Sequence, residues 1–385
     1  MTPITPIIQQ DTPPPVRGRV IGIGLALFLF VYTIGFAFQG EVRQIMVAGL
    51  ESIPFMVLAL LAYVGLRQFW ARALAILTLI SIVGGTTLMA VGLSATSLVQ
   101  NLGTRTQSIA PGAGWHLLLL AGGCMAAILA GGLMLLPPVR RGLARILPLD
   151  PDSFVHAIAL ATIVSVTLIS IVPLLVLATP PLLGTIQQMS ATGKGLTNAR
   201  GDAGMLRDLV YGLIWLVPAT IFAVGYGVQR NLSDALKRLG LVRPTWQQVL
   251  GGLVTAVLLV GGVQLLSMGV TWLWQTMGWP ETDGAAFGEL LSFAFNPLGA
   301  VIVGVTAGLG EELAVRGVLQ PRMGILLSNL FFMSLHAYQY NWDSLLVVFI
   351  VGTICGLVRQ RTNTTTSAIV HGTYNFLLIM LEVVR

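Results

Sequence analysis

Apolar residues run along this chain in long blocks separated by short polar stretches. About 20 apolar residues in a row are what a helix needs to cross a bilayer's hydrocarbon core. Eleven blocks are read, at roughly 20–38, 45–66, 73–99, 115–136, 154–178, 208–228, 249–274, 297–319, 325–340, 344–358 and 365–384. The ninth and tenth are short, as expected of helices tilted or enclosed among others. The pattern predicts an all-α, polytopic transmembrane helical bundle of about eleven spans.

The interruptions carry their own expectations. Gly123, Ala127 and Gly131 recur every four residues, a small-residue stripe suited to close helix packing. Pro173 and Pro218 fall inside blocks and predict kinks. The segment NLSDALKRLG (231–240) predicts a short helix capped by Asn231 or Ser233 and stopped at Gly240. The loop 179–207 is polar and Gly-rich and is expected to be flexible.

Composition agrees with a membrane protein. Of 385 residues, 55% are hydrophobic and 9% charged, against about 25% charged in soluble domains. The formal charge of +6 does not point to nucleic acid, because the Lys and Arg sit in short loops between apolar blocks. The Pro-rich start predicts a disordered cytoplasmic tail over 1–19. The block from Val20 to Phe38 is longer than a signal-peptide core, so it reads as a retained first helix. With the N-terminus cytoplasmic, all of the 21 Lys and Arg except Arg43, Arg105, Lys194, Arg200, Arg207 and Arg385 fall inside, as the positive-inside rule asks. The expectation is an integral, multi-pass protein of a prokaryotic cell (inner) membrane.

Candidate chemistry lies late in the chain. Cys124 and Cys355 sit in apolar blocks and suggest no disulfide or Cys-based metal motif. His116 and His156 lie near block ends, where a polar ring meets water. Glu311, Glu312, Arg316, His336, His371 and Asn375 lie within or beside the last four blocks. A charged residue at a span's centre costs about 2.5–3.5 kcal/mol on insertion scales and usually marks function.

Glu312 and Arg316 are four apart, with Glu on the N-terminal side, which favours a helical ion pair. Glu311 points about 100° away on an α-helix and needs another partner. His371 and Asn375 share one helix face, as do Phe332 and His336. With Pro321 taken as the end of its helix, Glu311, His336, His371 and Asn375 come to similar depths, about 9–16 Å from the cytoplasmic side at 1.5 Å per residue.

A Glu and a His in a membrane cavity can activate water, and a second His with Asn375 can donate to an oxyanion. No nucleophile elbow and no reactive Cys are expected near them. One carboxylate and two imidazoles also form a zinc set, here Glu311, His336 and His371, although no HExxH motif is present. Spacing alone leaves open a water bound to a divalent metal such as zinc and a water activated without metal.

Glu-Glu-x-x-x-Arg (311–316), Phe-x-x-x-His (332–336) and His-x-x-x-Asn (371–375), in this order, resemble the CAAX prenyl protease and bacteriocin-processing family of intramembrane endopeptidases. The resemblance covers about residues 295–384. It implies a catalytic region over 295–385 with four helices, and an accessory region over 20–294 with about seven. It further implies that Glu311 and His336 activate the attacking water and that His371 and Asn375 steady the oxyanion. Glu312, Arg316 and Phe332 would support the site. The implied partners are membrane lipid and a membrane-associated peptide or protein substrate, with prenylated CAAX proteins the eukaryotic case. Two rivals stand beside this reading. One is a non-catalytic scaffold or bacteriocin-immunity protein with a structural polar cluster. The other is a transporter using the acid and His as a proton relay, against which the lack of paired broken helices counts.

Overall fold

The computed structural model describes residues 18–100, 108–190 and 201–384. Its chain is helical almost throughout; the strands β1 (Val99–Gln100) and β2 (Ser108–Ile109) form one short antiparallel pair. The helices of the first part are α1 (Gly18–Gly35), α2 (Glu41–Ala48), α3 (Ile53–Val64), α4 (Phe69–Ser97), α5 (Ala113–Leu133), α6 (Pro137–Leu143), α7 (Phe154–Leu177), α8 (Pro181–Ser190) and α9 (Gly201–Ala223). There follow α10 (Leu232–Leu239), α11 (Trp246–Met277), α12 (Gly284–Leu291), α13 (Pro297–Val305), α14 (Gln320–Leu335), α15 (Trp342–Arg361) and α16 (Thr364–Val384). Between α13 and α14 lie two π-helical segments, π1 (Thr306–Glu311) and π2 (Leu313–Leu319).

Among the described residues, nine helices are long and apolar enough to cross a membrane. The number is ten if Glu41–Glu51 and Ile53–Val64, bent by 52°, cross as one. The molecule is an integral, multi-pass, all-α bundle. The difference from eleven lies mainly at the eighth and ninth blocks, which form one helical path, Pro297–Leu335. Pro321 does not end that path. It sits in the first turn of α14, where a missing N–H is tolerated, and the break comes at Gly324, with φ 73° and ψ 173°.

The break folds the path back on itself. Arg316 and Phe332 would lie about 24 Å apart on a straight helix. Instead the Arg316 guanidinium sits 4.7 Å from the centre of the Phe332 ring. The two blocks are therefore two arms meeting at Gly324, and the second, 325–335, is short.

Other local expectations can be placed. The α10 helix has its N-cap at Asn231, whose side chain accepts from the Asp234 N–H, and stops at left-handed Gly240. Pro173 and Pro218 lie inside α7 and α9. Part of the loop expected to be flexible is helix α8, while 191–200 lie outside the described residues, as do 1–17 of the expected tail. The upstream core centres on α7, which packs on α4 and α5 on one side and on α14 on the other. Through α14 it supports one wall of the C-terminal bundle.

Candidate active site

The polar residues of the last four blocks converge where π1 and π2 meet α14, α15 and α16. A π-helix, with i→i+5 bonding, is rare and recurs at functional sites. The close approach of π1 to α16 depends on two glycines. A Cβ at Gly308 would lie 2.6 Å from the Cα of Gly372, which is backbone and cannot yield. With no side chains between them, the helices bring Glu312 against His371.

Glu312 is fully buried and its carboxylate is enclosed by donors. Arg316 Nη1 lies 3.2 Å from Oε1. The His371 Nδ1–H donates to the same oxygen at 2.9 Å. The Ser367 hydroxyl reaches Oε2 at 2.5 Å, and its oxygen is 2.9 Å from the Cys355 carbonyl oxygen. Arg316 in turn donates from Nη2 to the Gly352 carbonyl at 2.7 Å, fixing π2 to α15. One turn on, the Gln320 side-chain amide donates to the Gly356 carbonyl at 2.9 Å. Removing either member of so buried a pair would strand the other charge.

Glu311 behaves differently from its neighbour. Its side chain is 38% exposed, and its Oε2 lies 3.8 Å from His371 Nε2. That separation is too long for a direct hydrogen bond and suits a bridging water. The His371 ring therefore faces two carboxylates, Glu312 through Nδ1 and Glu311 through Nε2. Donation from Nδ1 to an ionised, Arg-paired carboxylate leaves Nε2 of the neutral ring as an acceptor.

His336 occupies the C-cap of α14 and is half-buried. Its Nδ1 bonds the Phe332 carbonyl at 3.0 Å, and its ring stacks on Tyr340 with centroids 6.0 Å apart. The Phe332 ring touches both histidines, at 4.8 Å from His336 and 6.0 Å from His371. The histidine paired with Glu311 among the described residues is His371, not His336. The reason is the Gly308–Gly372 approach, which draws α16 in while α14 ends at His336. Asn375 lies one turn beyond His371 on α16 and is half-buried.

A cysteine does lie beside the site, Cys355, although not a reactive one. Its Sγ and ligand atoms of Glu312 and His371 lie within 4.8 Å of one another. The thiol is fully buried and is no accessible nucleophile. Ser367 is also fully buried, and its hydroxyl meets Glu312 rather than His371 Nε2, so the three do not form a Ser-His-acid triad.

A metal does not fit either donor set as it stands. The ligand atoms of Glu311, His336 and His371 do not all come within 4.8 Å of one another among the described residues. In the trio Glu312, Cys355 and His371, both carboxylate oxygens are occupied, and Arg316 already supplies the cation.

A family model described as Type II CAAX prenyl endopeptidase Rce1-like matches residues 293–377. The matched segment contains all three motifs that carried the resemblance, and the helices before it lie outside the match. No curated protein and no solved structure matches the chain.

Proposed function

We propose that this protein is an intramembrane endopeptidase that hydrolyses peptide bonds of membrane-associated substrates of the prenylated CAAX type. The observation that carries the reading is the division of labour between adjacent glutamates, one sealed against Arg316 and one open beside His371. The family match over 293–377 supports the reaction class.

In this reading the attacking water sits between Glu311 Oε2 and His371 Nε2. Two hydrogen bonds of about 2.8 Å spanning that gap subtend about 85° at the water oxygen. Both water protons then point at acceptors, and a lone pair is left to attack the carbonyl. Glu311 takes the proton and returns it to the leaving amine. Glu312 and Arg316 hold the His371 ring in its tautomer. In this reading Asn375 donates to the oxyanion, with His336 beside it. This assigns the water-activating pair to Glu311 and His371 in place of Glu311 and His336.

The test uses full-length protein in detergent with a library of prenylated and unprenylated peptides, cleavage being read by mass spectrometry. Glu311→Gln is expected to lower cleavage by about 10²–10⁴-fold, the usual weight of a general base, with its thermal midpoint unchanged. A Glu311→Gln protein that cleaves like wild type overturns the reading. The total burial of Glu312 favours a second reading, in which the whole cluster is a helix clamp of a scaffold protein. That reading requires wild type to cleave nothing, and Glu311→Gln and Glu312→Gln to differ only in stability.

A further inference from the structure

A second cluster of charge lies beside the described site, and the proposed catalysis does not use it. Arg230 follows α9, Arg238 is in the last turn of α10, Arg322 stands just before the Gly324 break, and Arg359 is in the last turn of α15. Arg230, Arg322 and Arg359 all bear on the charge of Arg238, so the four guanidinium groups gather at one end of the bundle. Arg322 Nη2 and Arg230 Nη1 both donate to the Tyr63 hydroxyl, the latter at 3.4 Å. The Arg322 guanidinium also lies over the Tyr63 ring, 5.6 Å from its centre. Arg238 Nη1 donates to the Gly317 carbonyl at 3.1 Å, which ties the cluster to π2.

The groups are short of anions. None of the four forms an ion pair among the described residues. Asp150, whose N–H donates to His156, uses Oδ1 on the Asp152 N–H at 3.0 Å. Burial and the neighbouring Arg322 push the Arg238 pKa down to about 9, as expected of cations gathered without counter-charge. Backbone carbonyls and one phenol occupy few of the five donors on each fork. The Arg359 Nε is buried and has no partner at all.

We propose that these four arginines form a binding site for a phosphate group, taken from the headgroup of an anionic phospholipid. Planar guanidinium forks match phosphate oxygens in pairs. Basic pockets between transmembrane helices, at the level where the helices end, meet lipid headgroups. Because Arg238 bonds Gly317, the bound phosphate would brace the helical segment that carries Glu312 and Arg316.

Full-length protein in neutral detergent is titrated with phosphatidylglycerol vesicles, phosphatidylcholine vesicles and inorganic phosphate. Binding and thermal midpoint are read for each. Saturable binding of phosphatidylglycerol with a raised midpoint is expected, with no response to phosphatidylcholine. Arg322→Gln and Arg359→Gln should each weaken it about tenfold or more. Arg361→Gln, exposed at the end of the same helix as Arg359, should leave it unchanged. If inorganic phosphate binds equally well and shows the same variant losses, the site holds and its phosphate comes from solution. Equal response to both lipids, or equal loss on Arg361→Gln, overturns the site. Should Arg322→Gln not fold, Arg359→Gln decides, because its Nε makes no bond that the fold would lose.

Discussion

Two helix seams in this molecule use the same device for opposite ends. Between α5 and α7, the stripe Gly123, Ala127 and Gly131 lets two spans approach closely, with Gly123 against the Val172 side chain and buried Leu120 and Cys124 alongside. Between π1 and α16, Gly308 and Gly372 allow an equally close approach, but the groups brought together are Glu312, His371 and Ser367. The first seam buries apolar surface and needs only that the helices touch. The second must hold a carboxylate to an imidazole within tenths of an ångström. A small-residue stripe therefore says that two helices meet closely. The polar residues one turn away say what the meeting is for.

The sharpest way to break the second seam is Glu312→Gln. Losing one partner of a fully buried pair costs about 3–5 kcal/mol, so the thermal midpoint in detergent should fall further than for any other single change considered. Replacing Arg316 by Met in the same chain should recover part of the loss, because no charge is then stranded. Gly308→Ala comes next. Its Cβ meets backbone at 2.6 Å, so α16 must move, costing about 1–3 kcal/mol. Cleavage per folded molecule should fall as well, because His371 moves with α16.

Gly123→Ala is the matched control. Its Cβ would lie 2.8 Å from Val172 Cγ1, a side chain that can turn, so about 1–2 kcal/mol of stability should go with cleavage per folded molecule unchanged. Equal activity losses for the two glycine variants would erase the distinction between the seams. The smallest effect expected is for Asn231→Ala, which removes the α10 cap. About 1 kcal/mol should appear as faster hydrogen exchange in α10 alone.

Much of this was legible along the chain because it is local. The apolar blocks became helices, and the Glu312–Arg316 pair and the caps of α10 stand at spacings a single helix dictates. The match over 293–377 falls on the segment that the three motifs marked. What stayed hidden depends on partners distant in sequence. The π-helical winding of 306–319 has no local signature among Gly, Leu and Ala. The bond from His371 to Glu312 rests on glycines 64 positions apart, Gly308 and Gly372. Cys355 looked like filler for the same reason: its nearness to the site comes from α15 packing, not from its neighbours in the chain.

The fold-back at Gly324 limits what mutation can do to this segment. Arg316 and Phe332 each stand eight positions from the turn. One residue added to or lost from either arm would rotate everything beyond it by about 100° and lift the phenyl ring off the guanidinium. Substitutions along the arms can be absorbed one at a time, but changes of length cannot. Insertions and deletions that descendants of this chain tolerate should fall outside 316–332, making the spacing itself, more than any residue between, the inherited trait.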